Sequence, residues 1–242
     1  RYPGLTDEQR LKKICDALDW DVKRVLTPEQ IRAKEDLSGE YNKYVRVIER
    51  GNGQKSYLRL YEDNYRHPTE TEISAALKRM VIKSPVVAFL TGHGERSIDG
   101  IGERDYYAFS QYKDFRNSLV NQGFESISLS LDSVNKVPEN IDILVISDVR
   151  TALSPKEQEI IENYIAEGRN LLIAGEPRRQ EQMNPLLAPL GLSFMPGILV
   201  QESKDFSTDL ILANPTMASL NVINRFDKLL AFGNQITMPS AV

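Results

Sequence analysis

Three short, largely apolar runs in the second part of the chain constrain its fold more than any other feature. They cover residues 85–90, 141–146 and 170–174. Runs of this length and composition are typical of parallel strands that are buried on both faces. Residues 124–131 alternate apolar residues with serine, which predicts a strand nearer the edge of the same sheet. We therefore predict an α/β domain over residues 85–242, with a doubly wound, mostly parallel sheet and right-handed crossovers.

Helical patterns separate the predicted strands. One helix is expected to begin at Asp105, with its inward side formed by Phe109, Tyr112, Phe115 and Leu119. A second follows Ser154 and Glu157, which have the spacing of a capping box, and ends at Gly168. Its apolar face is Ile160, Ile161, Tyr164 and Ile165.

Residues 1–84 show a different pattern. Their predicted order is a helix after Thr6, a short strand over 21–26, a helix after Thr27, a hairpin and a helix after Thr69. The hairpin combines the alternating segments 44–49 and 56–61. The last helix is expected to pack through Ile73, Leu77, Met80 and Val81. This order resembles a thioredoxin-like domain that lacks its first strand, but no CxxC motif accompanies it.

Charge and composition support a division near Pro85 and exclude several classes of function. The chain has 242 residues with a formal charge of −4, and 17 of its 30 basic residues fall in residues 1–84. We place one domain at 1–84 and another at 85–242. A mildly acidic balance argues against nucleic-acid binding, and a single cysteine excludes a disulfide framework or a cysteine-rich zinc site. The chain starts without methionine and its last apolar stretch is 236–242. We therefore expect a fragment, truncated within its second domain, whose flanking membrane segments are missing.

The carboxyl ends of the predicted strands select the candidate site. In parallel α/β folds, ligands bind beyond these ends, which here lead into loops 91–104, 147–154 and 175–182. The candidate ligand-binding residues in these loops are His93, Glu95, Arg96, Asp148, Glu176 and Arg178. Their imidazole, carboxylate and guanidinium groups suit a sugar, a carboxylate or a peptide.

Two interpretations of the His93 loop stay open. In a hydrolase, His93 or Glu95 would act as a general base. In the structural alternative, His93 contacts the neighbouring loops and Glu95 pairs with Arg96 or Arg104. We predict no metal site, because the chain has two histidines and they fall in different segments. No phosphate-binding glycine motif and no cysteine in the α/β segment are present, so we predict no cofactor and no catalytic residue.

Several stretches together resemble one protein family. Residues 86–96 read VVAFLTGHGER, residues 69–77 read TETEISAAL, and residues 170–177 read NLLIAGEP. Shorter matching stretches lie at 122–124, 143–148, 184–187 and 190–191. In this order they resemble the gliding-motility-type auxiliary proteins of ABC transporters, over roughly residues 36–200. The resemblance implies a module tethered at the periplasmic face of the inner membrane, beside an ABC-2-type permease and its ATPase. It also implies an α/β domain similar to class I glutamine amidotransferases, without their nucleophilic cysteine.

These observations predict a non-enzymatic, extracytoplasmic accessory domain that binds a small ligand, an envelope component or a partner protein. One alternative is a hydrolase that acts on envelope carbohydrate or peptide through His93 and Glu95. Another is an interaction scaffold that works through the exposed hairpin edge, residues 56–61.

Overall fold

The computed structural model describes residues 3–221 and 226–239, and the chain divides into two compact units, residues 1–47 and 48–242. The division falls inside the first strand. The predicted boundary near Pro85 lies within the second unit and stays a prediction. No helix in the described part of the chain is both long enough and apolar enough to cross a membrane.

The first unit is built from short helices. Its elements are α1 (Asp7–Leu18), a 3₁₀ turn (Val22–Arg24), α2 (Pro28–Lys34), a 3₁₀ turn (Ser38–Glu40) and the start of β1 (Val45–Glu49). Capping boxes begin α1 and α2, as the sequence predicts. The predicted strand over 21–26 is wrong, because Asp21 accepts a hydrogen bond from the Lys23 amide and closes a turn there. Without that strand, the thioredoxin-like order loses one of its elements.

The second unit begins with the end of the hairpin and a helix whose buried side differs from the prediction. Strand β2 (Lys55–Arg59) forms a two-stranded sheet with β1, as a hairpin requires, and α3 (Glu70–Arg79) follows. The buried side of α3 carries Glu72 and Ala76, and Met80 is buried just beyond its end. The other three residues that were predicted to pack are exposed: Ile73, Leu77 and Val81.

The centre of the second unit is a four-stranded parallel sheet. Its elements are β3 (Val86–Thr91), α4 (Tyr107–Ser110), β4 (Glu125–Ser130), β5 (Ile143–Ser147), α5 (Pro155–Ala166), β6 (Asn170–Ala174) and α6 (Gln180–Leu187). The strand order is β4-β3-β5-β6, and every pairing is parallel. The structure thus confirms a mixed α/β fold with a parallel sheet, and the finer likeness to an amidotransferase stays an expectation. The main core packs β3, β5 and α5 through side chains such as Leu90, Leu144, Ile146, Ile161 and Tyr164.

Two expectations about these elements need correction. The helix predicted from Asp105 is a single turn. Phe109 and Phe115, for which the spacing predicts an inward position, are 43% and 42% exposed. Strand β6 lies at the edge of the sheet, and Leu172 in its middle is 50% exposed. The apolar composition of β6 therefore does not reflect burial on both faces.

The last described segments form a small separate sheet. A 3₁₀ turn (Ala188–Leu190) follows α6, and then come β7 (Leu210–Ala213), a 3₁₀ turn (Met217–Asn221), α7 (Phe226–Phe232) and β8 (Ile236–Pro239). Strands β7 and β8 pair antiparallel. The end of the apolar stretch 236–242, from residue 240 onward, lies outside the described residues.

Candidate functional site

The three loops at the carboxyl ends of the strands lie against one another. The backbone amides of Arg150 and Thr151 donate hydrogen bonds to the His93 carbonyl at 2.9 and 3.1 Å. The Asp148 amide donates to the Ala174 carbonyl at 2.8 Å, at the end of β6. The predicted convergence of loops 91–104, 147–154 and 175–182 is therefore present in the structure, and their role in binding stays a prediction.

Glycine permits the close approach of the first two loops. Gly92 and Gly94 flank His93 with φ angles of +124° and +78°, a region that side chains with a Cβ atom rarely adopt. A Cβ atom at Gly94 would lie 3.1 Å from the Arg150 Cβ atom. The two glycines thus let the loop turn and bring His93 next to the loop that follows β5.

The imidazole of His93 lies between two buried carboxylates. Its Nδ1 atom is 3.4 Å from a Glu95 oxygen, and its Nε2 atom is 3.3 Å from a Glu157 oxygen. The His93 side chain is 12% exposed, and the side chains of Glu95 and Glu157 are 1% and 6% exposed. Glu95 also accepts a hydrogen bond from the His93 amide at 2.6 Å. We call His93, Glu95 and Glu157 the inner cluster.

Glu157 connects the inner cluster to α5. One of its oxygens accepts a hydrogen bond from the Ser154 amide at 2.8 Å, which completes the capping box of α5. Burial opposes ionisation of this carboxyl, but the hydrogen bonds from Ser154 and the nearby His93 together lower the pKa of Glu157. Glu157 is therefore ionised at neutral pH, beside the imidazole.

Asp148 is a further buried carboxylate of these loops, at the end of β5. Its side chain is 3% exposed, and neither oxygen has a hydrogen-bond partner among the described residues. The nearest cationic group is the Arg150 guanidinium, 3.5 Å away. The backbone of Asp148 has a φ of +54°, so the chain turns sharply where β5 ends.

Arginines form the accessible part of the site. Arg96 and Arg104 both pair with Glu176, and the Arg96 guanidinium lies over the Tyr106 ring. The hydrogen bond from Arg104, with a further contribution from Arg96, lowers the pKa of Glu176.

We call Arg96, Arg104, Arg150 and Arg178 the arginine rim. Three of its side chains are 21%, 58% and 46% exposed, in that order, and Arg178 is also exposed. Three of these four arginines pair with carboxylates of the same loops, Arg96 and Arg104 with Glu176 and Arg150 with Asp148.

The structure thus brings four of the six predicted residues into two contacting groups. His93 and Glu95 lie in the inner cluster, Arg96 pairs with Glu176, and Asp148 contacts Arg150 instead. Arg178 lies on the same loop as Glu176 with a φ of +67°. The predicted pairing of Glu95 with Arg96 or Arg104 is wrong, because both arginines pair with Glu176.

Glu157 belongs to the site but is not among the residues that the sequence predicts there. The capping-box pattern explains Glu157 locally, and no local pattern indicates that its second oxygen faces His93. The one sequence feature that places Glu157 near the site is its position at the start of α5, directly after a loop at the carboxyl end of a strand.

The candidate general base and the arginines of the site differ in how accessible they are. A general base must come within hydrogen-bond distance of its substrate, and the Glu95 side chain is almost completely buried. Within the described ranges, no group of three or more His, Cys, Asp or Glu residues has a geometry that could hold a metal ion. The exposed guanidinium groups, in contrast, can each bind a carboxylate with two parallel hydrogen bonds.

Comparison with known proteins gives one match. A family model described as an ABC-type uncharacterized transport system matches residues 84–220, which is more than half of the chain and includes the whole parallel sheet and the site. Neither the curated proteins nor the solved structures contain a significant match.

Proposed function

The chain belongs to the family described as ABC-type uncharacterized transport system, and we propose that it serves there as a non-enzymatic accessory domain that binds a partner through the arginine rim. Membership in the family supports an accessory role in an ABC transport system. The observation that carries the finer proposal is the separation of the site into a buried inner cluster and an accessible rim of arginines.

The rim indicates the chemistry of the partner. Arg104 and Arg150 are about half exposed, and Arg178 is exposed, while Glu95 and Glu157 of the inner cluster are buried. Guanidinium groups recognise carboxylates through paired, charge-assisted hydrogen bonds. The partner surface therefore presents Asp or Glu side chains, or the ligand carries carboxylate groups.

The inner cluster positions the loops in this proposal. The His93 imidazole lies 3.3 Å from Glu157 in α5, and the His93 carbonyl accepts hydrogen bonds from the second loop. These contacts hold Arg96 and Arg150 in place without exposing a reactive group. The burial of Glu95 is also the reason that a hydrolase using His93 and Glu95 is the less favoured function.

The resemblance to gliding-motility-type auxiliary proteins supports two further parts of the proposal. The domain lies on the extracytoplasmic face of the inner membrane, and its partner is an ABC-2-type permease that works with an ATPase. The placement can be tested with R178C, because Arg178 is exposed and the native Cys15 is buried. A membrane-impermeant maleimide should label R178C in intact cells, and labelling only after lysis would contradict this placement.

Charge reversal tests the binding role. In the full-length protein, R104E combined with R178E should reduce the amount of permease that copurifies from detergent-solubilised membranes several-fold. The matched control is K12E, which makes the same kind of change at an exposed position of α1. Normal circular dichroism together with unchanged recovery of the permease from the R104E/R178E variant would refute binding through the rim.

A further inference from the structure

The two edges of the parallel sheet differ in how well they are protected. The β4 edge carries Glu125 and alternating serines, with Glu125 and Ser128 exposed. The β6 edge reads NLLIA, without a charge or a proline, and Leu172 in its middle is 50% exposed. Natural edge strands are usually blocked by charges, prolines or bulges, because their unpaired backbone groups can recruit another strand. The β6 edge has none of these features.

The hydrogen-bond pattern shows which backbone groups of β6 point away from the sheet. The Asp148 amide donates to the Ala174 carbonyl, so residue 174 directs its backbone groups toward β5. In a parallel ladder the direction alternates along the strand, so residues 170, 172 and 174 face β5. The N–H and C=O groups of Leu171 and Ile173 therefore point outward. Among the described residues, β5 is the only strand that pairs with β6.

We propose that β6 pairs antiparallel with β6 of a second copy of this chain, about a twofold axis at Leu172. In this register Leu171 lies opposite Ile173 of the other copy, and Ile173 lies opposite its Leu171. Each of these two pairs exchanges two backbone hydrogen bonds, so all four outward groups of each strand find a partner. The two parallel sheets become one continuous sheet of eight strands.

The exposed Leu172 and the absence of charged residues in β6 favour a second copy of the chain as the pairing strand. In the proposed register the two Leu172 residues form a non-hydrogen-bonded pair, with Cα atoms about 4.5 Å apart, so their exposed side chains bury one another. The strand itself carries no charge, so no like charges within β6 face one another in the paired register. Pairing of a five-residue strand buries much less surface than the roughly 1,600 Å² of a standard interface, so the association should be weak and concentration-dependent. This inference does not depend on the arginine rim.

Cysteine crosslinking tests the register. A Cα separation of about 4.5 Å lies within the range of a disulfide. In a C15A background, L172C should oxidise to a covalent dimer in a mild redox buffer at high protein concentration. The matched control, S128C on the β4 edge, should remain largely monomeric. Equal dimer yields for L172C and S128C, or none for either at about 1 mM protein, would overturn the proposal.

Charge substitution separates pairing from misfolding. L172K and L172E each place like charges opposite one another, so each variant alone should sediment as a monomer at concentrations where the native chain associates. A mixture of L172K and L172E places opposite charges at the same pair and should restore association. A native chain that stays monomeric up to about 1 mM, or a mixture that sediments no faster than its separate components, would overturn the proposal.

Discussion

Removing Arg116 from its ion pair with Glu72 should cost more stability than removing a partner of any surface ion pair in the described part of the chain. Arg116 donates a hydrogen bond to Glu72 at 2.6 Å and two to Asp63 at 2.6 and 3.1 Å, and its guanidinium lies 4.4 Å from the centre of the Tyr61 ring. The Glu72 side chain is 3% exposed. Replacement of Arg116 by alanine therefore leaves a buried carboxylate without its cation.

The expected cost of R116A follows from that burial. Removing one partner of a buried ion pair typically costs about 3–5 kcal/mol, because the remaining charge is neither hydrated nor compensated. The free energy of unfolding of a natural domain is about 5–15 kcal/mol, so R116A should remove a large fraction of it. R116K keeps the charge but loses the bidentate contact with Asp63, and should fall between the native chain and R116A.

Urea denaturation followed by circular dichroism measures the effect, and a double-mutant cycle assigns it to the pair. E72Q keeps an oxygen that can accept the Thr69 amide hydrogen bond, but it removes the charge. R116A should therefore cost less in the E72Q background, by about 1–3 kcal/mol. A loss below about 1 kcal/mol for R116A, or an equal loss in both backgrounds, would refute the argument from burial.

Acid should destabilise the second unit. The pKa values of Glu72 and Asp63 are lowered in the fold, that of Asp63 to about 2. A carboxyl group with a lowered pKa stabilises the fold only while it is ionised. The free energy of unfolding should be highest above the unfolded glutamate pKa of 4.5 and should decrease as the pH falls toward 2, with a smaller decrease in E72Q. An unfolding midpoint that does not change with pH over this window would contradict a stabilising role for these carboxylates. G175A should cost about 1–3 kcal/mol in urea, since a Cβ atom at Gly175 would lie 2.5 Å from the Phe194 ring; a neutral effect would show that the ring moves freely. S154A should cost about 1 kcal/mol because it removes the hydroxyl that caps α5, and thermal unfolding against S154T, which keeps the hydroxyl, isolates that contribution.

Much of the fold follows from local patterns in the sequence. The strands β3 and β5 are apolar because they lie in the centre of the sheet, and the capping box at Ser154 marks the start of α5. The convergence of the three loops follows from the rule that the carboxyl ends of parallel strands meet at one edge. These predictions needed no information on long-range contacts.

The errors arise where distant residues decide the outcome. The apolar spacing of α3 predicts burial of Ile73 and Leu77, but Glu72 is on the buried side because Arg116 compensates its charge there. No local signal could reveal this cation, which lies far along the chain. The edge position of β6 is equally hidden, because apolar composition alone does not distinguish a central strand from an unprotected edge.

The inner cluster shows the same limit within the site. The sequence identifies His93 and Glu95 through the loop in which they occur. No sequence pattern indicates that their side chains are buried. Glu157 fulfils a local role in the α5 capping box and a tertiary one beside His93, and only the first leaves a sequence pattern.

Photo-crosslinking in native membranes tests the proposed docking surface most directly. A photoreactive residue replaces Arg104 on the arginine rim, Lys55 on the hairpin or Ser128 on the β4 edge of the full-length protein, one at a time. We expect position 104 to crosslink to the permease of an ABC transporter, and positions 55 and 128 not to do so. Crosslinks to the permease from position 55 but not from position 104 would contradict this expectation and identify the hairpin as the working surface.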